Sequence, residues 1–241
     1  MNFLRKLRRD NADGGSITTY LLYGIGEIIL VVIGILIAVS INNWNEEKKS
    51  QKELLNIYTI VKADLENDIA DINRILGIHQ ETRHLYGKVL GDSLAKQDYA
   101  LYPRAAFLIM GYPEFSMDKR GISLLGEFRS NSEHIQDTLM TTIIDFYSER
   151  TLEIEVDDKF RAMDFEDNYM HWKNNYEWWQ GYILRTDFTG FLEYATTDSD
   201  YKNRVANFYF LTYDIFLPEL VLFKNGALEI ISTIDNRMRD S

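Results

Sequence analysis

The sequence predicts an all-α protein in which one N-terminal transmembrane helix continues into an extracytoplasmic antiparallel helical bundle. Three observations carry this. From Tyr20 to Ile41 there are 22 residues with one ionisable group, Glu27. Past them, apolar residues recur every three or four positions over long stretches, the period of a helix with one buried face. Only three prolines occur, at 103, 113 and 218, and the turn pairs that would bound strands are scarce.

The chain of 241 residues, 46% hydrophobic, is long enough for one core of moderate size beside an anchor. The expected organisation is a basic cytoplasmic segment at 1–19, a transmembrane helix at 20–44 and a helical extracytoplasmic domain at 45–241. The net charge of -11 is uneven, with residues 1–45 summing to +1 and residues 46–241 to -12. So acidic a domain repels phosphate backbones, and no basic patch with interleaved aromatics is present, so nucleic acid is excluded as a partner. The absence of cysteine removes disulfides, thiolate zinc sites and cysteine nucleophiles together.

A helix over residues 20–41 spans about 33 Å, close to the hydrocarbon thickness of a bilayer. Tyr20, Tyr23 and Trp44 sit where interfacial aromatics belong. The run is too long for a cleaved signal peptide and no A-x-A pattern follows it, so it reads as a retained signal anchor. Arg5, Lys6, Arg8 and Arg9 precede the span and Lys48, Lys49 and Lys52 follow it, a four-to-three bias toward a cytoplasmic N-terminus. Phe3, Leu4 and Leu7 among those basic residues suit either a short helix on the inner leaflet or a basic tail.

At helical spacing Glu27, Val31, Gly34, Ala38 and Ile41 share one stripe, so the acid lies on the same face as a small-xxx-small pair. A charge near the centre of a lone membrane helix costs about 2.5–3.5 kcal/mol on insertion scales. A face of small residues lets a second helix approach and shield it. Three roles for Glu27 stay open: a neutral glutamate hydrogen-bonding between helices of an oligomer, an ion carrier in a pore or motor, and a pairing site for a basic residue of another subunit. Gly24 and Gly26 open a membrane helix without a preceding strand, so they do not form a nucleotide loop.

The run YLLYGIGE followed by IILVVIGILIAVSINNWNE, Tyr20 through Glu46, resembles the N-terminal signature of an uncharacterised membrane-protein family, a domain of unknown function common in Bacteroidota. The resemblance implies a single-pass inner-membrane protein with a helical domain behind its anchor and includes the glutamate at 27. It implies no activity, cofactor or catalytic residue. A looser resemblance is to the single-pass stators of ion-driven motors. Those usually carry an aspartate and a mixed α/β outer domain, and the likeness bears only on the ion-carrying role.

Past Trp44 no Gly or Pro stops the helix, and Leu54, Tyr58, Val61, Leu65, Ile69, Ile72 and Leu76 predict its continuation to about residue 78 or beyond. Their mean spacing of about 3.7 fits an ordinary amphipathic helix better than a strict heptad. Gly87 and Gly91 bracket its end. Residues 96–117 read as a connection with at most one helical turn, and Asp118 to Phe128 as a short helix. Ser130, Asn131 and Ser132 offer caps before Glu133, opening a long helix to about residue 166 whose apolar face runs through Ile135, Leu139, Ile143, Phe146, Tyr147, Leu152, Val156, Phe160 and Met163. Asp198 to Asp200 caps a helix reaching Phe216, where Pro218 is expected to kink or break it. A last helix, about Pro218 to Met238, has Gly226 as its weak point. Four main helices in antiparallel packing are the economical arrangement.

The histidines at 79, 84, 134 and 171 fall in no metal-ligand spacing, and no nucleophile elbow, phosphate loop or dinucleotide fingerprint occurs. Neither metal nor cofactor is expected. Asp157-Asp158 and Asp198-x-Asp200 read as solvated faces or caps. The stretch Tyr169 to Tyr182 holds three of the four tryptophans; Tyr176, Trp178, Trp179 and Tyr182 serve either core packing or an aromatic surface for a glycan, peptide or protein. The expected function is a non-enzymatic, membrane-anchored structural or interaction subunit that forms a homo-oligomer through Glu27, Gly34 and Ala38. Its partners are the lipid bilayer, its own copies and another membrane or periplasmic protein. The alternative is an ion-conducting or proton-motive-force-driven component with Glu27 as the ion-carrying carboxylate. A sensor is disfavoured because about 19 residues before the span leave no room for an output domain.

Overall fold

A computed structural model describes residues 17–132 and 135–240. The basic residues Arg5, Lys6, Arg8 and Arg9, with Phe3, Leu4 and Leu7, lie outside the described residues, as do Glu133 and His134. Among the described residues the regular structure is all helical. The chain divides into two compact units, Met1–Leu54 and Leu55–Ser241.

Helix α1, Ile17–Leu90, is unbroken from the apolar run to Leu90. Its first stretch is long and apolar enough to cross a membrane, and none of its most apolar window is buried. The helix ends where Gly91 N–H bonds to Gly87 O and Asp92 takes a left-handed φ of 54°, a turn that terminates helices by satisfying their last carbonyls.

In the second unit α1 buries Tyr58, Val61, Leu65, Asp68, Ile72, Ile75 and His79. These alternate by three and four, so the seam is a heptad seam, and the expected non-heptad face through Ile69 and Leu76 is corrected: both are only half-buried. Asp68 and His79, polar residues on seam positions, conceal the repeat in the sequence. Helix α3, Thr138–Asn175, repeats the pattern, burying Met140, Tyr147, Ile154, Arg161 and Asn168 at strict intervals of seven, with Ile143 and Trp172. The expected continuation through Leu152, Val156, Phe160 and Met163 is overturned, for these four are exposed. Leu152 follows the buried Tyr147 by five residues, about 140° around a 3.6-residue helix, so that stripe lies on the side of α3 away from the seam.

The third rod is helix α6, Ser199–Tyr209, a π-helical segment, Phe210–Phe216, and helix α7, Leu217–Arg239. Asp198 caps α6, accepting from Asp200 N–H. Pro218 does not break the rod: the π segment ahead of it widens the turn, with Leu217 N–H reaching back to Thr212 O. This absorbs the donor and the space that a proline removes from an α-helix. Lys62 Nζ lies 2.5 Å from Asp235, Lys224 Nζ 2.7 Å from Asn73 Oδ1, and Tyr213 OH donates to His79 O at 2.8 Å, so this rod runs antiparallel to α1. Arg204 pairs with Asp167, Arg150 with Glu219 and Arg237 with Asp137, so it is antiparallel to α3 as well. α3 starts where Tyr58 OH donates to Asp137 at 2.8 Å and passes Asp68 with Tyr147 and His79 with Arg161. It is therefore parallel to α1. Three long rods, one pair of them parallel, replace the four antiparallel helices expected.

The return path between parallel rods is residues 91–137. It contains two 3₁₀ turns, Lys96–Ala100 and Pro103–Phe107, one more than expected, and helix α2, Arg120–Asn131. Asp64 and Asp68, one turn apart on α1, tie its N-terminus down: Gly121 N–H donates to Asp64 at 2.6 Å and Asp118 N–H to Asp68 at 2.9 Å. Carboxylates facing a helix N-terminus satisfy free donors and the macrodipole together. Gly121 is required, because a Cβ there would meet the Val61 backbone at 2.7 Å. Ser130 and Asn131 belong to α2 rather than capping α3; Asp137 is that cap, accepting from Met140 N–H. Gly226, expected as a weak point, is a packing contact with the Phe146 ring, whose Cε2 would lie 2.5 Å from an added Cβ.

Candidate functional site

On α1 the residues singled out by their shared stripe are open. Glu27, Gly34 and Ala38 are exposed with Val31 and Ile41, and no atom lies within 4 Å of where a Cβ would stand on Gly34. Glu27 makes no hydrogen bond or ion pair with a described residue. A backbone open at glycine and a carboxyl without a partner on one helix face are what a close helix–helix crossing requires. The polar edge of the run is marked by Trp44, with Lys48 Nζ 3.9 Å above its ring, and by Asn42 donating to Glu46 at 3.0 Å.

The four aromatic candidates divide by burial. Tyr182 is fully buried, whereas Tyr176, Trp178 and Trp179 are half-buried. At their centre stands Trp172 from the C-terminal end of α3, fully buried and not among the four residues singled out. Its ring meets Trp178, Tyr182, Phe191, Tyr194 and Tyr201 at centroid distances of 5.6 to 6.1 Å. The elements around it are helix α4, Trp179–Ile183, and helix α5, Thr189–Thr197. Their polar atoms are partnered inward: Trp172 Nε1 donates to Tyr194 OH at 3.1 Å and Tyr182 OH to Ala106 O at 2.7 Å. The cluster packs the end of the bundle and exposes Tyr176, Trp178 and Trp179 only in part. Trp172 follows the Met140-to-Asn168 heptad by a step of four, a signal that Arg161 and Asn168 on the same seam hide in the sequence.

Beside it lies a polar hub that the sequence gives as a cap alone. Asp200 Oδ2 accepts from Tyr194 OH at 2.5 Å and Arg204 Nε at 3.0 Å. His171 Nε2 stands 3.2 Å away, misaligned for a hydrogen bond. Burial opposes charge on Asp200, but the Tyr194 and Arg204 hydrogen bonds outweigh it and hold the carboxyl below the usual range. An ionised carboxylate holding two hydrogen bonds is a weak base, so the group links α5 to α6 rather than moving protons.

The most perturbed acid lies elsewhere. Asp68 is almost fully buried and its Oδ2 accepts no hydrogen bond from the described residues, nor does Tyr147 OH on α3 find a partner. Burial, with Asp118 and Asp64 nearby, pushes Asp68 up to about 7 even though the Asp118 N–H bond pulls the other way. Burial and the Arg161 guanidinium likewise push His79 down to about 4, keeping it neutral. Arg161 itself is fully buried, paired with Asp158 at 2.9 Å and lying 3.8 Å over the Phe216 ring. Among the described residues no group of three or more His, Cys, Asp or Glu is arranged to hold a metal ion.

Residues 27–101 match the model of a family of unknown function, DUF6090. The matched stretch begins at Glu27 and includes Gly34, Ala38, Asp64, Asp68 and His79, but ends before α2 and the aromatic cluster. No curated protein and no solved structure matches the chain.

Proposed function

We propose that the chain is a single-pass, membrane-anchored structural or interaction subunit, self-associating through the Glu27, Gly34 and Ala38 face of α1. The observation that carries this is the shared stripe: Glu27, without a hydrogen bond to the described residues, lies on the same exposed face of an apolar helix as the small residues Gly34 and Ala38. In a bilayer Glu27 gains most by hydrogen-bonding to a second helix. The four-to-three charge bias of the flanks supports a cytoplasmic N-terminus with the acidic domain on the far side of a bacterial inner membrane.

Native mass spectrometry of the protein released from lipid nanodiscs tests it. Glu27→Gln keeps a hydrogen-bonding amide and retains the oligomer; Glu27→Leu weakens it. An oligomer unchanged by Glu27→Leu refutes the interhelical bond, and a proton flux in vesicles that Glu27→Gln abolishes supports the ion-carrying role instead.

A further inference from the structure

The side chains that the apolar pattern of α3 leaves outside form a surface. Leu152, Val156, Phe160 and Met163 are 66%, 43%, 53% and 55% exposed, and at steps of four, four and three they make one ridge about 16 Å long. Met170, also exposed, continues it. Single exposed apolar residues are ordinary, but a contiguous row marks an interaction site. Residues 145–167 of the same helix hold nine acids against three bases, a net charge of -6, and one of the bases, Arg161, is buried. Asp145 and Glu166, at the ends of the ridge, form no ion pair with described residues.

We infer that this face of α3 docks a basic amphipathic helix of a partner protein. The ridge supplies apolar contact, with methionine to adapt to the incoming side chains, and the acidic margin selects lysine and arginine on the other side. Lys119 holds Glu155 and Arg204 holds Asp167, yet the acids still outnumber the bases, so a second copy of the chain would set two acidic margins against each other, and anionic headgroups would be repelled in the same way. The surface lies within the second unit, and its occupancy does not depend on association of the anchor.

The test uses the full chain in phosphatidylcholine nanodiscs and a photo-crosslinking Leu/Lys helical peptide of about four turns, with a Leu/Glu peptide of the same pattern as control. The Leu/Lys peptide crosslinks to α3, and its affinity falls at least about tenfold in Leu152→Ser/Phe160→Ser and again when salt rises from about 0.05 to 0.5 M. Because the serine variant alters apolar surface, Asp145→Asn/Glu166→Gln provides a second measurement in which no ion pair is lost; it too weakens binding. Equal binding by both variants, or equal binding of the Leu/Glu peptide, overturns the inference. So does an oligomer that dissociates on Phe160→Ser but not on Glu27→Leu, which would make a second copy the occupant.

Discussion

Replacing Asp68 by asparagine should remove most of one component of the protein's pH dependence. In the folded state burial raises this carboxyl from 3.8 to about 7, so the native protein keeps a proton that the unfolded chain releases. Where the unfolded state binds fewer protons, stability falls as pH rises. The loss starts near pH 4, continues at about 1.4 kcal/mol per pH unit, and stops above pH 7 at roughly 4 kcal/mol. Asparagine still offers an oxygen to Asp118 N–H and does not titrate, so its curve lacks this slope. For a domain of this size each kcal/mol is worth about 2–4 °C in Tm, so Asp68→Asn should gain roughly 10 °C on wild type between pH 4 and pH 8. Other groups titrate in both proteins, so the quantity to measure is the difference between their Tm values, by circular dichroism across that range. A constant difference would show that Asp68 is ionised in the folded protein at neutral pH, and would refute the burial argument.

Four further substitutions test the packing. Gly121→Ala sets a methyl group against the Val61 backbone and should cost about 1–3 kcal/mol in chemical unfolding, whereas Gly126→Ala, with nothing within 4 Å, should stabilise by up to about 1 kcal/mol. Trp172→Ala removes the ring shared by five aromatic neighbours and should cost about 3–5 kcal/mol, with loss of the near-ultraviolet circular dichroism of the cluster. Trp179→Ala, half-buried against Tyr169 and Tyr182, should lower Tm clearly less than Trp172→Ala; an equal loss would place it in the core on the same footing.

The fold class and the continuation of α1 are legible because the apolar run passes into residues 45–76, which hold neither glycine nor proline to stop a helix. The seams are less legible, and for one physical reason. Asp68, His79, Arg161 and Asn168 occupy buried heptad positions, so a reading that follows apolar residues alone slides onto Ile69 and Leu76 in α1 and onto Leu152 to Met163 in α3. Two of these polar seam residues meet features that no local pattern shows: the N-terminus of α2 for Asp68 and the Phe216 ring for Arg161, beside its own i,i+3 pair with Asp158. Pro218 misleads in the opposite sense, since a π turn admits it where an α-helix would break. Of the candidate residues, Glu27, Gly34 and Ala38 are placed on one face from spacing alone because an α-helix has one regular geometry. Tyr182, by contrast, looks like Trp179 in sequence and is separated from it only by the packing of α4 on Trp172.

The absence of cysteine allows a direct test of the α1 face, since any introduced thiol is the sole one in the chain. Val31→Cys and Ala38→Cys lie on the Glu27 stripe, and Ile29→Cys and Leu36→Cys on the opposite side of the helix. Oxidation in native membranes should join copies through the first pair and leave the second pair monomeric. Equal crosslinking on both faces, or none on either, would contradict self-association through Glu27, Gly34 and Ala38.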